Sequence, residues 1–152
     1  MTSFEITIGN KVYPVKCCEN LCGHSIGRYN IHAGKSVPIV KREDNTKMEE
    51  GEQFAIETFG TTGAGYVLED DSDVSHYMMK FKFGSKKPKI QNAMANKLYD
   101  VILEHFGTLA FCRKWLEPLF PKHMGPLKML VDGGILGSYP PLTDPEKNCY
   151  TA

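Results

Sequence analysis

The sequence predicts an α+β fold, because strand-like alternation dominates up to about Phe59 and helical periodicity takes over in the later part of the chain. Glycine, proline and asparagine mark the turns between. With 152 residues, 41% of them hydrophobic and 24% charged, the chain has the length and composition to bury a core and is not of the disordered class.

Phe4, Ile6 and Ile8 alternate with polar residues, Gly9-Asn10 is a two-residue hairpin signal, and Val12-Tyr13-Pro14-Val15 reads as the return strand. Pro14 has no N–H to give to a ladder, so that strand is expected at an edge or bent there. The stretch from Gly23 to Gly34 is rich in glycine and histidine with no clean period, and reads as irregular backbone shaped for a site. Val37-Pro38-Ile39-Val40 is expected as a short strand, Lys41 to Glu52 as a solvated loop, and Phe54 to Phe59 as a strand. A period of two then puts Ala55, Glu57 and Phe59 on one face. From about His76 the pattern turns helical. Met94, Leu98, Val101, Ile102 and His105 form one stripe, stopped at Gly107. Thr108 is a candidate N-cap for a second helix carrying Cys112, Trp115, Leu116 and Leu119, with Trp115 in the core and Pro118 ending it. Pro126 opens a third helix bearing Leu127, Leu130 and Val131, stopped by Gly133-Gly134, and Tyr139-Pro140-Pro141 is extended.

Eighteen basic residues balance eighteen acidic ones, so no overall field draws the chain to nucleic acid or an anionic membrane, and neither partner is expected. Apolar runs such as Leu109 to Cys112 are far below the roughly 20 residues that cross a bilayer. The start, Met1-Thr2-Ser3-Phe4-Glu5, does not read as a secretory leader, so a cytoplasmic location is expected. Five irregularly spaced cysteines fit free thiols in a reducing compartment. Cys17, Cys18, Cys22 and His24 could gather around zinc, but they lack the C-x-x-C spacing of a structural site.

His24 and Glu57 carry the chemistry of interest. A neutral imidazole and a carboxylate are ordinary ligands of divalent metals, and a carboxylate between Ala55 and Phe59 calls for a positive partner. Read from the residues alone, the alternative is a loop histidine bonded to backbone and a carboxylate paired with a lysine or arginine. His32 could act beside a substrate carbonyl or sit on the surface, and His76 is equally open. The lysine run from Lys80 to Lys89 reads as a solvated face.

Gly23-His24-Ser25-Ile26-Gly27, Ile31-His32-Ala33-Gly34-Lys35, Phe54-Ala55-Ile56-Glu57-Thr58-Phe59-Gly60, Ser75-His76-Tyr77, Phe106 to Arg113 and Tyr139-Pro140-Pro141-Leu142, in this order, resemble type 2 methionine aminopeptidase. The likeness runs from about Phe4 to Ala152. It implies a partial pita-bread fold over residues 1–152, with an inserted helical, winged-helix-like subdomain at about 76–139. It also implies removal of the N-terminal methionine from nascent proteins by a metal-activated water, with two divalent ions (cobalt, manganese, zinc or iron) as cofactors. Nascent polypeptides are then the substrates, and the family implies an association with the ribosome. By the same resemblance His24 and Glu57 match metal ligands, and His32 and His76 match catalytic histidines. Ile31, His32, Phe59, His76, Met78 and Tyr139 match substrate-binding residues.

The family's site has five protein ligands. Two aspartates, and a further substrate-contacting histidine, precede the matched region, and a last glutamate follows Ala152. The resemblance therefore implies a C-terminal fragment that is inactive as an isolated chain, with strand edges and apolar faces left uncovered. Cys22 stands where the family has asparagine, and Pro118 interrupts a helix. The alternative is a non-catalytic pita-bread binding protein of the proliferation-associated type, against which the joint presence of His24, His32, Glu57 and His76 argues. A helical nucleic-acid binder using Lys80 to Lys89 is disfavoured by the balanced charge.

Overall fold

The computed structural model describes residues 4–80 and 84–152. Met1 to Ser3, at the start read as leaderless, and Phe81 to Phe83 of the lysine run lie outside the described residues. The chain divides into two units, one of residues Met1–Asp70 with Leu142–Ala152 and one of Asp71–Pro141.

In the first unit, β1 (Phe4–Ile8) and β2 (Lys11–Cys17) form the expected hairpin, with Ile8 opposite Lys11 across Gly9-Asn10 and Ile6 opposite Tyr13. Pro14 lies on the stretch of β2 that has a neighbour on one side, since β2 meets its second partner only at Lys16 and Cys17. Next comes β3 (Cys22–Ile26), a regular strand where irregular backbone was expected. It is central in a sheet of order β4-β3-β5, between β4 (Ser36–Pro38) and β5 (Gln53–Ala55). Pairing on both edges satisfies its backbone, which outweighs the low strand propensity of Gly23. β5 ends at Ala55, short of the expected Phe59, yet the period of two continues. Ala55, Glu57 and Phe59 are half-buried while Ile56 and Thr58 are exposed. Then β6 (Gly60–Thr61) joins β2, and β7 (Leu68–Glu69) follows.

The second unit opens on β8 (His76–Met79), a strand where helical patterning was expected to begin. The helix starts later: α1 (Ala93–His105) is capped by Asn92, whose side chain accepts from the N–H groups of Met94 and Ala95 at 2.9 and 3.0 Å. Its end is as expected. Gly107, at φ 60°, adopts the left-handed conformation that lets its N–H reach back to Leu103 O. The buried stripe is Ala95, Leu98, Tyr99 and Ile102, so Met94 and His105 of the expected stripe face solvent.

The second expected helix does not form. Phe111 and Cys112 make β9 (Phe111–Cys112), paired with Tyr77 and His76, and only a 3₁₀ turn at Arg113–Leu116 follows. Burying Phe111 against Phe106, with centroids 4.9 Å apart, overrides the local period, and Pro118 bars extension. Trp115, expected in the core, is 55% exposed. α2 (Met124–Asp132) buries Leu127 and Leu130, and Gly133 follows as its cap. β10 (Leu136–Tyr139) pairs with β8, giving a sheet of order β10-β8-β9. This unit holds the main core, built from Met79, Leu98, Tyr99, Ile102, Phe111 and Leu130 among others. The chain then returns to the first unit, where β11 (Leu142–Thr143) pairs with β7. Among the described residues no helix is long and apolar enough to cross a membrane.

Removal of the cap by Asn92→Ala should cost about 1 kcal/mol. Leu98→Ala, which empties the fully buried contact of α1 with the core, should cost about 3 kcal/mol. Denaturant unfolding followed by helical circular dichroism measures both.

Candidate functional site

The site is built on the pairing of β3 with β5. His24 lies opposite Ala55 on one side and Ser36 on the other. At the neighbouring Gly23, an added Cβ would stand 2.3 Å from Ala55 O and 3.0 Å from Glu57 N, so the segment after β5 runs against a position that only glycine can fill. That close approach carries Glu57 to His24. The imidazole Nε2 and the carboxylate Oε1 are 3.2 Å apart, with side chains 14% and 36% exposed. On its other side His24 Nδ1 is 3.2 Å from Ser25 O. Both neighbours are acceptors, so a ring with one proton gives it either to Ser25 O from Nδ1 or to Glu57 from Nε2. With the proton on Nδ1, the Nε2 lone pair faces the carboxylate and a cation can be held between them.

His32 joins this pair. The loop between β3 and β4 is fastened at buried Ser25, whose N–H donates to Lys35 O, whose carbonyl accepts from Ala33 N, and whose hydroxyl accepts from Lys35 N. Thus held, the loop sets the His32 ring 4.3 Å from that of His24 at 63°. Lys35 bonds Glu52 at 2.5 Å and Glu49 at 3.4 Å, tying the loop to the turn before β5. The bond to Glu52 raises the Lys35 pKa, and the same bond with the Glu49 N–H lowers that of Glu52. His24, His32, Glu57, Cys22 and Lys35 line a cleft of about 400 Å³. Cys22 is two residues before His24 on β3 and so shares its face.

Asp144, which the sequence reading passed over, secures the segment beyond Glu57. Its carboxylate accepts from Thr61 Oγ1 at 2.7 Å, Ala64 N at 3.0 Å, Gly65 N at 3.4 Å and Glu146 N at 2.8 Å. Loss of water around it works against ionisation, but these bonds prevail and pull the Asp144 pKa down to about 2 from 3.8. The available signal was Asp144-Pro145, a turn-forming pair. Thr151 also bridges Thr61, and Gly60 and Ala152 exchange backbone bonds of 2.7 and 3.0 Å.

The other singled-out residues divide by unit. Ile31 and Phe59 are half-buried in the first, and Phe59 O accepts from Cys18 N at 2.9 Å. In the second, His76 stands opposite Tyr139 across β8 and β10, and the Tyr139 hydroxyl reaches Met78 Sδ at 3.8 Å. His76 Nδ1 is 2.9 Å from Ser75 Oγ, and burial raises the Tyr139 pKa. All five cysteines are free, and Cys17, Cys18, Cys22 and His24 gather no metal site. Among the described residues no group of three or more histidine, cysteine, aspartate or glutamate side chains is placed to hold a metal ion.

No protein-family model matches the chain. Over its whole length it is 52% identical to methionine aminopeptidase 2-2 of Leptosphaeria maculans and covers 33% of that protein. It is 51% identical to methionine aminopeptidase 2 of Kluyveromyces lactis, again over the whole chain and 35% of the relative. The chain thus spans about a third of the length of the curated relatives it matches. Among solved structures it is similar to a thermophilic Arx1, with a TM-score of 0.70 and 17% identity, over 90% of this chain and 36% of that one. The α+β, partial pita-bread class expected from the sequence is the fold observed.

Gly23→Ala should part β3 from the segment carrying Glu57 and destabilise the first unit, because the clash is with backbone that cannot rotate away. A lowered unfolding midpoint would register it. Asp144 has a folded-state pKa below that of the unfolded chain, so its contribution is complete above about pH 4 and is lost as pH falls through about 2. Asp144→Asn should flatten the acid limb of a stability-against-pH curve and leave its neutral limb uniformly lower.

Proposed function

We propose that this chain, homologous along its whole length to type 2 methionine aminopeptidase, carries part of the apparatus that removes the N-terminal methionine from nascent polypeptides. The observation behind this reading is the facing of His24 Nε2 and Glu57 Oε1 at 3.2 Å with Nδ1 already engaged by Ser25 O. That is the donor arrangement of a half-built site for a divalent metal ion. His24 and Glu57 are the metal ligands in this proposal, and His32 is the histidine beside the scissile bond. Ile31 and Phe59 in the first unit, and His76, Met78 and Tyr139 in the second, contact the substrate. A cytoplasmic setting and an association with the ribosome go with it, and the free thiols suit the former.

The described residues do not by themselves fit a two-metal centre. Two divalent ions carry four positive charges, against which this cleft sets one carboxylate and two imidazoles, and no third ligand stands in place. No hydrolytic step follows from that set. The chain alone is therefore inactive in this account, and the remaining ligands come from sequence corresponding to the rest of its relatives.

Calorimetric titration with manganese, cobalt and zinc, followed by a methionyl-peptide cleavage assay, tests this. The expected result is weak uptake of a single ion, lost in His24→Ala, with no cleavage. Cleavage should appear when the other two-thirds of the Kluyveromyces lactis relative is co-expressed, and His24→Ala should abolish it. Tight uptake of two ions with cleavage by the chain alone would refute the incomplete site. No uptake and no restored cleavage would refute the enzyme reading in favour of a binding protein.

A further inference from the structure

The first unit is acidic overall, yet half of its cations are gathered in one place. Residues 1–70 and 142–152 hold eight lysines and arginines against twelve aspartates and glutamates, a formal −4. Four of those eight, Lys35, Lys41, Arg42 and Lys47, line a single pocket of about 280 Å³, in which Asp44 is the acidic lining residue. The pocket lies behind the sheet that bears His24. Gly23 pairs with Val37 and Ser25 with Phe54, so Val37 and Phe54 are on the face of the β4-β3-β5 sheet opposite His24. Both are half-buried, and with Val40 and Met48 they give the pocket an apolar wall. Lys35 and Ser36 are shared with the cleft of His24, while His24, His32 and Glu57 take no part.

The four cations differ in what they have left to give. Lys35 is engaged by Glu49, Glu52 and the carbonyl of Lys47. Arg42 gives one guanidinium nitrogen to Glu19 O and has other N–H groups to offer. Lys41 and Lys47 are exposed and form no ion pair among the described residues. Asp44 already accepts from the Thr46 N–H at 2.8 Å. Unanswered positive charge therefore borders an apolar wall within one pocket.

We propose that this pocket binds a carboxylate carried on an apolar body the size of one amino-acid residue, with no free amine, which is the chemistry of an N-blocked amino acid or of a peptide's C-terminal residue. At about 280 Å³ it lies just below the roughly 300 Å³ from which pockets for drug-sized ligands start, so it is matched to one residue. Lys41, Lys47 and the remaining N–H groups of Arg42 receive the carboxylate in charge-assisted hydrogen bonds. The apolar side chain covers Val37, Val40, Met48 and Phe54. A bare phosphate would answer the cations and leave that wall wet. A free amino acid would bring its ammonium among Lys41, Arg42 and Lys47, where like charge opposes it.

The test is a titration of the full chain, labelled with nitrogen-15, with N-acetyl-leucine, its amide, free leucine, inorganic phosphate and an N-acetylated tetrapeptide ending in leucine, followed by backbone amide shifts. The expected result is saturable movement of the Val40, Met48 and Phe54 resonances by N-acetyl-leucine, with a dissociation constant on the order of 1 mM, the range open to so small a ligand. The amide, free leucine and phosphate should each bind at least about tenfold more weakly. Lys41→Ala with Lys47→Ala should weaken N-acetyl-leucine at least about tenfold and leave the zinc response of His24 unchanged, since neither lysine lines that cleft. Met48→Ser, at an exposed position, should weaken it about threefold without disturbing the rest of the spectrum. Tighter binding of the tetrapeptide would assign the pocket to chain ends, and equal binding to small acids. Absence of saturable shifts with N-acetyl-leucine would overturn the proposal. So would equal affinity for the acid and its amide, equal affinity for phosphate, or full affinity in the double lysine variant.

Discussion

The candidate site depends on one close approach, that of the Ala55 carbonyl to Gly23. A side chain of any size at position 23 would stand inside the van der Waals shell of the strand opposite. Without one, β3 and β5 pair closely, and the alternation that continues past Ala55 delivers Glu57 to the face that bears His24. The distance of 3.2 Å between their side chains is thus set by backbone packing more than by their mutual attraction. Second contacts then fix orientation. Ser25 holds Nδ1 of His24 through its carbonyl and fastens the loop that brings His32 to the same cleft.

Around this centre lie polar ties that restrict motion more than they add stability. Asp144 gathers three hydrogen bonds from Thr61, Ala64 and Gly65, in the stretch that leads away from Glu57, and a fourth from the Glu146 N–H. Lys35, Glu49 and Glu52 close the opposite side. These pairs are solvated, so each stabilises little on its own. Their effect is to limit how far the His32 loop and the Glu57 segment can drift from His24, and geometry at a ligand site is worth more than their separate energies suggest.

Much of this was legible in the sequence. The hairpin across Gly9-Asn10, the Gly107 stop and the side of the chain on which Glu57 lies follow from period and turn chemistry, which act locally. What the sequence hid was non-local. Gly23 reads as a loop residue until the strand opposite is known, and Asp144 reads as a turn residue until Thr61 is beside it. Trp115 and Cys112 carry a helical period, but Phe111 is claimed by the sheet and by Phe106, which leaves Trp115 outside. Charge behaved likewise, since the balanced sum over the chain hides a surplus of basic residues within 71–141 and of acidic ones outside it.

The central claim, that His24 and Glu57 face each other as the ligands of a metal ion and not as a structural ion pair, is tested most directly by nitrogen-15 NMR of the His24 ring at neutral pH with and without zinc. The account predicts an Nε2 resonance that moves on zinc addition and ceases to move in Glu57→Ala. A ring protonated at both nitrogens and indifferent to zinc would contradict it.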